Sequence, residues 1–225
     1  GMKEFTLSVD KDGNAEISKA ALDKLISKNM NVVLQSGSIK VAVDIADMKD
    51  MLSAAAKVKF ALKEKSTDTL ATGYKKLSNT FELKIYADSK EVKPAGKFDV
   101  RIDIGALPKS SGNNLKAGVF RKIGATLQYI PGSHMSKKGV VSFKTDSFGE
   151  FIVAEYSKKF DDMDKYEWAS DFVEIMAARQ ITTGTGGNRF SPGEPVTRAQ
   201  FAVFITKALG IEVPGAKNIF TDVES

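Results

Sequence analysis

Arg198 is the residue best placed for chemistry in this 225-residue chain. It follows Thr197, and Gln200 comes three residues after that threonine. Thr-x-x-Gln is a capping box, in which hydroxyl and amide satisfy backbone groups at a helix start. The pattern predicts a helix opening at 198, with Arg198 projecting from its first position. Free N–H groups and the helix dipole favour an anion there. A guanidinium adds a planar fork that matches a carboxylate. The plain alternative is a surface arginine in an ordinary salt bridge. Upstream, Gly184, Gly186 and Gly187 fall in a turn between two predicted helices. They serve a sharp turn, or they let backbone approach a ligand, and the two roles are compatible. A nucleotide-phosphate loop is excluded, because no Gly-Lys-Ser/Thr follows and no strand precedes.

Other chemistry-bearing residues form weaker sets. Trp168 is the sole tryptophan, and the helical pattern around it makes it a core residue. Phe160 and Phe190 read as core too. Asp162-x-Asp164-x-Tyr166 fails the calcium-loop template, since tyrosine is a poor third ligand and the required Gly and Glu are missing. Acids opposing a helix dipole are the simpler account of these residues. Asp10-x-Asp12-x-Asn14 comes closer, but Ala15 and Ala21 stand where Gly and Glu are needed, so a turn is expected. His134 is the only histidine and there is no cysteine, so neither a metal site nor a nucleophilic set is expected. The first 157 residues hold 18 acids, none in a motif suggesting a raised pKa. No cofactor and no catalytic turnover are expected.

Two helices must position Arg198 and the glycines. Trp168, Phe172, Ile175, Met176 and Arg179 recur at helical spacing, as do Phe201, Phe204, Ile205, Ala208 and Leu209. Gly210 ends the second helix and Pro214 forbids resumption. Before Ser157-Lys158-Lys159 the period is mostly two. Lys3–Val9, Asn31–Gln35, Ser38–Val43, Lys57–Lys65, Phe81–Ala87, Lys97–Ile104, Lys116–Lys122, Ala125–Ile130, Val140–Lys144 and Glu150–Tyr156 are candidate strands. Many short strands at regular spacing argue for a sandwich or barrel-like sheet. Two short helices interrupt them. Ser18 caps one that runs to about Lys28, with Ala21, Leu22, Leu25 and Ile26 on one face. Ile45–Ala56 holds the other, with Ile45, Met48 and Leu52. Asp12-Gly13 is a hairpin signal.

Charge and composition bound the partners. The net charge is +5. Residues 1–157 carry 25 Lys and Arg against 18 Asp and Glu, and residues 158–225 carry 8 against 10. The basic residues of the first part are lysines except Arg101 and Arg121. Scattered lysines on strands make a solvated, aggregation-resistant surface, with weak attraction to anionic polymers as the functional alternative. No basic stripe with interleaved aromatics is present, so nucleic acid is not an expected partner. No apolar run approaches the roughly 18 residues of a membrane span. Gly1-Met2 reads as a processing scar, so the N-terminus does not report localisation.

Five elements in order carry a family resemblance: Phe160-Asp-Asp-Met163, Trp168, Ile181-Thr-Thr-Gly184, Phe190-Ser-Pro192 and Thr197-Arg198-Ala199-Gln200. Together they resemble the S-layer homology (SLH) repeat of bacterial surface proteins. The opening element returns at Phe220-Thr-Asp222-Val223, 60 residues after Phe160. The resemblance implies binding to secondary cell-wall polysaccharide carrying pyruvate ketals, with Arg198 as the clamp for the ketal carboxylate. It also implies that the loop of Gly184 and Gly186 approaches the sugar beside the capping Thr197. Trp168 lies near the family's inter-repeat groove, which adds sugar stacking as a second role. Repeats of this kind bury their apolar stripes on neighbours, so further SLH repeats, in cis or in trans, are expected partners. One copy and a stub read as a piece of a longer protein. Leu115–Arg121, Ala125–Ile130 and Val140–Phe148 resemble the end of a β-domain found beside such repeats. Ser147 and Gly149 depart from its F-x-T-x-H-F-S pattern, and no ligand is carried over.

The expectation is an α+β two-domain chain. A mainly β, sandwich-like domain with two short helices covers 1–157. An all-α SLH helical hairpin covers 158–225, with a second copy beginning near 218. The expected role is non-covalent anchoring of an extracellular protein to the bacterial cell wall or S-layer. Two alternatives remain: an accessory region of a wall-anchored polysaccharide hydrolase, and an adhesin whose β-domain binds a carbohydrate or protein.

Overall fold

The computed structural model describes residues 3–37, 39–66, 69–94, 96–105 and 114–211. The repeated opening element at 220–223 lies outside them. In chain order the first elements are β1 (Lys3–Ser8), β2 (Asn14–Ser18), α1 (Lys19–Ser27), β3 (Met30–Ser36), β4 (Ile39–Val43), α2 (Lys49–Leu52) and β5 (Lys57–Lys65). Next come β6 (Tyr74–Lys76), β7 (Thr80–Ala87), β8 (Lys90–Glu91), β9 (Phe98–Asp103), β10 (Ala117–Ile123) and β11 (Thr126–Tyr129). The last are β12 (His134–Met135), β13 (Val140–Thr145), β14 (Gly149–Tyr156), α3 (Glu167–Ala178) and α4 (Arg198–Leu209).

The strands form two sheets. One has the order β1-β3-β4-β9-β13-β12, and the other β11-β10-β14-β7-β5-β2. In the second, β6 also pairs with β14 and β8 with β7. Period-two patterning drives this arrangement. In β9, Phe98, Val100 and Ile102 are buried while Asp99 and Arg101 face out, and burial of such side chains contributes about 1.5–3 kcal/mol each. Phe143 of one sheet meets Phe151 of the other with ring centroids 5.8 Å apart. The helices cover this core from the side. Leu22 and Leu25 of α1 are buried, and Ser18 caps it by accepting from the Ala21 N–H at 3.4 Å. Ile45, Met48 and Leu52 are buried around α2.

The Asp12-Gly13 turn does not make a hairpin. β1 pairs with β3 in parallel, and β2 pairs with β5 in the other sheet. The turn is still required: Gly13 has φ +77°, and a Cβ there would lie 2.7 Å from the Leu62 carbonyl oxygen. It passes the chain from one layer to the other.

A larger correction concerns the C-terminal part. Two helices are present, but they do not form an all-α hairpin. Among the described residues the chain is mainly β, with fourteen strands in two sheets and a few helices. Residues 179–197 between α3 and α4 are irregular, with a small bridge of Gly186 to Arg189. α3 packs on β14 and on the 3-10 turns at Asp164–Tyr166 and Asn114–Lys116. α4 has no buried residue. The physical reason lies in α3, which is apolar on two sides. Val173 and Ala177 join Phe160 and Met163 in a small core flanked by Ala169, Tyr166 and Phe190. That face excludes the expected stripe, and Trp168 is 78% exposed and Phe172 67%. Trp168 is therefore not a core residue. Phe201 and Leu209 of α4 are likewise exposed.

Candidate functional site

The start of α4 is built as its residue types dictate. The Thr197 hydroxyl accepts from the Gln200 N–H at 3.2 Å, and Gln200 Oε1 accepts from the Thr197 N–H at 2.9 Å. Thr197 is extended, with φ −72° and ψ 158°, as a cap requires. Arg198 takes the first helical position and is exposed. Its side chain makes no ion pair or hydrogen bond among the described residues. A free guanidinium beside a helix start is a competent receptor for a carboxylate.

The loop before α4 is held by an acid that sequence reasoning assigned elsewhere. Asp162 accepts from the Phe190 N–H at 2.9 Å and from the Ser191 N–H at 2.8 Å. The Arg189 Nε stands 3.6 Å away. The Phe190 amide bond above all, with the Ser191 bond and Arg189, holds the Asp162 carboxyl below its ordinary range against the effect of partial burial. Next to it, Asp161 accepts from Asn188 Nδ2 at 2.7 Å. These acids therefore clamp a loop and do not serve a helix dipole. The signal available in sequence was the acid's fixed place after Phe160 in the repeat motif.

Gly184 and Gly186 have different reasons to be glycine. At Gly184, φ +85°, a Cβ would stand 2.4 Å from the Arg189 carbonyl oxygen and 2.6 Å from the Phe160 ring. The residue lets the loop fold onto the small core. Gly186, φ +108°, faces open space. It turns the chain so that Arg189 N–H reaches the Gly186 carbonyl at 2.9 Å and Thr185 N–H reaches the Arg189 carbonyl at 2.8 Å.

The expected site residues share one surface segment but not one closed pocket. Thr197 and Arg198 sit at the α4 start, Gly184 and Gly186 in the loop, and Trp168 in the first turn of α3. Among the described residues no hydrogen bond or ion pair joins Arg198 to the loop or to α3. A cavity of about 530 Å³ between the sheet edges is lined by none of the five.

A second feature missed by sequence reasoning locks this segment to the sheets. Gln180 follows α3 with φ +55°, a conformation uncommon for a residue with a side chain. Its amide Oε1 accepts from the Tyr129 N–H at 2.7 Å, and its Nε2 donates to the Leu127 carbonyl at 2.7 Å and the Tyr74 hydroxyl at 3.1 Å. Burial pushes the Tyr74 phenol up, and the Gln180 bond opposes that shift. Nearby, Lys116 Nζ meets Glu174 at 2.6 Å, both side chains well shielded. Burial, the largest single effect there, disfavours the charged amine, but the Glu174 bond together with the charges of Glu174 and Asp171 raises the lysine.

Comparison with known proteins places a family on this segment. Residues 159–202 match the family model of the S-layer homology domain. The chain is 27% identical over 214 residues to an amylopullulanase of Thermoanaerobacterium thermosulfurigenes, covering 93% of this chain and 11% of that protein. It is 36% identical over 63 residues to an endoglucanase of Bacillus sp. (strain KSM-635), covering 28% of this chain and 7% of the relative. Over 45 residues it is 47% identical to an S-layer-related protein of Niallia circulans, covering 20% of this chain and 3% of the relative. The chain thus spans about a tenth of the amylopullulanase and less of the other two. The S-layer homology segment indicates a cell-surface or cell-wall location.

Proposed function

We infer, from a chain whose residues 159–202 are an S-layer homology segment, that it anchors an extracellular protein non-covalently to cell-envelope polysaccharide. S-layer homology domains bind cell-wall polysaccharide. The finer reading is ours: the polymer is a secondary cell-wall polysaccharide, and Arg198 receives the carboxylate of its pyruvate ketals. The observation that carries this is an exposed guanidinium at a capped helix start with no partner among the described residues. The loop of Gly184 and Gly186 and the capping Thr197 shape its surroundings, and the exposed ring of Trp168 offers a face for a sugar. Further SLH repeats, in cis or in trans, cover the apolar residues that α3 and α4 leave open. In this reading 1–157 is a β-domain and 158–225 the anchoring module, and the chain itself carries no catalytic step.

The enzyme names of two relatives favour a second reading on the scale of the whole protein. The chain is then an accessory region attached to a polysaccharide hydrolase whose catalytic domain lies elsewhere. Both readings share the anchoring role. Co-sedimentation with purified wall sacculi, before and after chemical removal of pyruvate, tests it. Retention that depends on pyruvate supports the ketal reading. Equal retention by both preparations removes the ketal, and no retention of a chain with its neighbouring repeats removes the anchoring role.

A further inference from the structure

A cavity of about 530 Å³ lies where the edges of the two sheets approach each other beside the end of α4. Its size falls in the range of about 300–1,000 Å³ usual for small-molecule sites. Arg121 of β10 enters from one side. Its guanidinium donates to the Ser147 hydroxyl and, at 2.9 Å, to Gln128 Oε1. Both acceptors are neutral, so no carboxylate among the described residues pairs with its charge, and further N–H groups of the fork stay available. Lys97 donates to the Gly210 carbonyl at 3.2 Å, again a neutral acceptor. Lys144, by contrast, is tied to Asp99 at 2.6 Å. Asp146 and His134 also line the cavity, and Asp146 makes no ion pair among the described residues. Ile130, Pro131 and Phe143 add apolar wall.

We propose that this cavity binds an acidic saccharide unit, a sugar carrying a carboxylate. The carboxylate sits on the open fork of Arg121 with Lys97 beside it, a charge-assisted geometry. Sugar hydroxyls donate to Asp146 and exchange hydrogen bonds with Gln128 and Ser142, and the C–H face of the ring lies on the apolar wall. An acidic peptide fits worse, since its side chains bring no hydroxyl donors for Asp146 and repel that carboxylate. The site shares no residue with the Arg198 surface and does not depend on the ligand assigned there. It is completed from the anchoring segment all the same: a Cβ on Gly210 would lie 2.6 Å from Pro131 Cβ, so the end of α4 sits directly on the loop that forms the cavity wall.

The test is titration of the full chain with digalacturonic acid, with maltose as the neutral counterpart and inorganic phosphate as the sugar-free anion, followed by calorimetry and amide chemical shifts. Digalacturonate is expected to bind and to shift the amides of Arg121, Gln128 and Gly210, while maltose does neither. Arg121→Gln and Lys97→Gln are each expected to weaken binding about 10- to 150-fold, and Arg121→Lys to recover part of it. If Arg121→Gln unfolds, Lys97→Gln, outside any strand, carries the test. Absence of binding, binding that neither variant weakens, or shifts confined to residues 184–200 overturn the proposal. Phosphate or maltose binding as tightly as digalacturonate overturns its saccharide or its anion part respectively.

Discussion

The side chain of Gln180 stands in for a strand beside Tyr129. Its amide oxygen takes the Tyr129 N–H at 2.7 Å, and its amide nitrogen serves the Leu127 carbonyl at the same distance. Among the described residues β11 is the last strand of its sheet, so these backbone groups have no described strand neighbour on that side. One residue closes the edge and joins the S-layer homology segment to the sheets.

Gln180→Ala is therefore expected to destabilise the protein by about 1–3 kcal/mol, because it strands backbone groups whose partner was a side chain. Gln180→Gly removes the same bonds but relieves the positive φ, and should be the milder change by about 1 kcal/mol. Denaturant melts give the two values. Faster hydrogen exchange at the Tyr129 amide in both variants locates the loss.

Gly184→Ala should destabilise more than Gly186→Ala. Both force a side chain into positive φ, a strain of about 1–3 kcal/mol. Only Gly184 adds collisions with the Arg189 carbonyl and the Phe160 ring, and overpacking of that kind contributes a further 1–3 kcal/mol or so. Thermal midpoints of the two variants decide the order, and equal shifts contradict it.

Asp162 gives the segment an acid limit. Its folded pKa lies below its ordinary value of 3.8, so the unfolded chain takes up the proton first as pH falls. The stabilisation is complete above that ordinary value and is lost as pH drops through the folded one. Melts from pH 7 downward should show a decline beginning near pH 4 that is flatter in Asp162→Asn. Parallel curves would falsify the clamp.

Much of this was legible, for identifiable reasons. The alternation of Phe98, Val100 and Ile102 reports a strand with one buried face, and Thr197 with Gln200 reports a helix start, because both signals are local. Tyr74–Lys76 carries no alternation and becomes a strand only through pairing with β14. α3 offered two apolar stripes, and choosing between them required knowing that Phe160 and Met163 fold back against Val173. Asp162 could be read as an acid before a helix, since its true partners lie 28 and 29 residues onward. For Gln180 the side-chain contacts are wholly tertiary, and nothing in its neighbours announces them.

Arg198→Ala and Thr197→Ala should separate recognition from folding. The first leaves the melting curve in place and weakens wall-polymer binding about 10- to 150-fold, if its charge-assisted bond is of ordinary strength. Arg198→Lys recovers part, since a point charge cannot reproduce the fork. The second lowers stability by about 1 kcal/mol through the lost cap. Calorimetry on the full-length protein reads both, and an unchanged affinity in Arg198→Ala removes that residue from the site.

The position of β14 matters for a chain under tension. It leads directly into the anchoring segment. Over Ala154–Tyr156 it is bonded on one side to β6, and over Glu150–Glu155 on the other side to β10. If the segment anchors the protein as proposed, a pull from it enters an interior strand and not a free edge. To peel it away, hydrogen bonds on both flanks must open together, so the load spreads across the sheet. Under such a load the joint is expected to rupture as a unit, not to unzip one bond at a time.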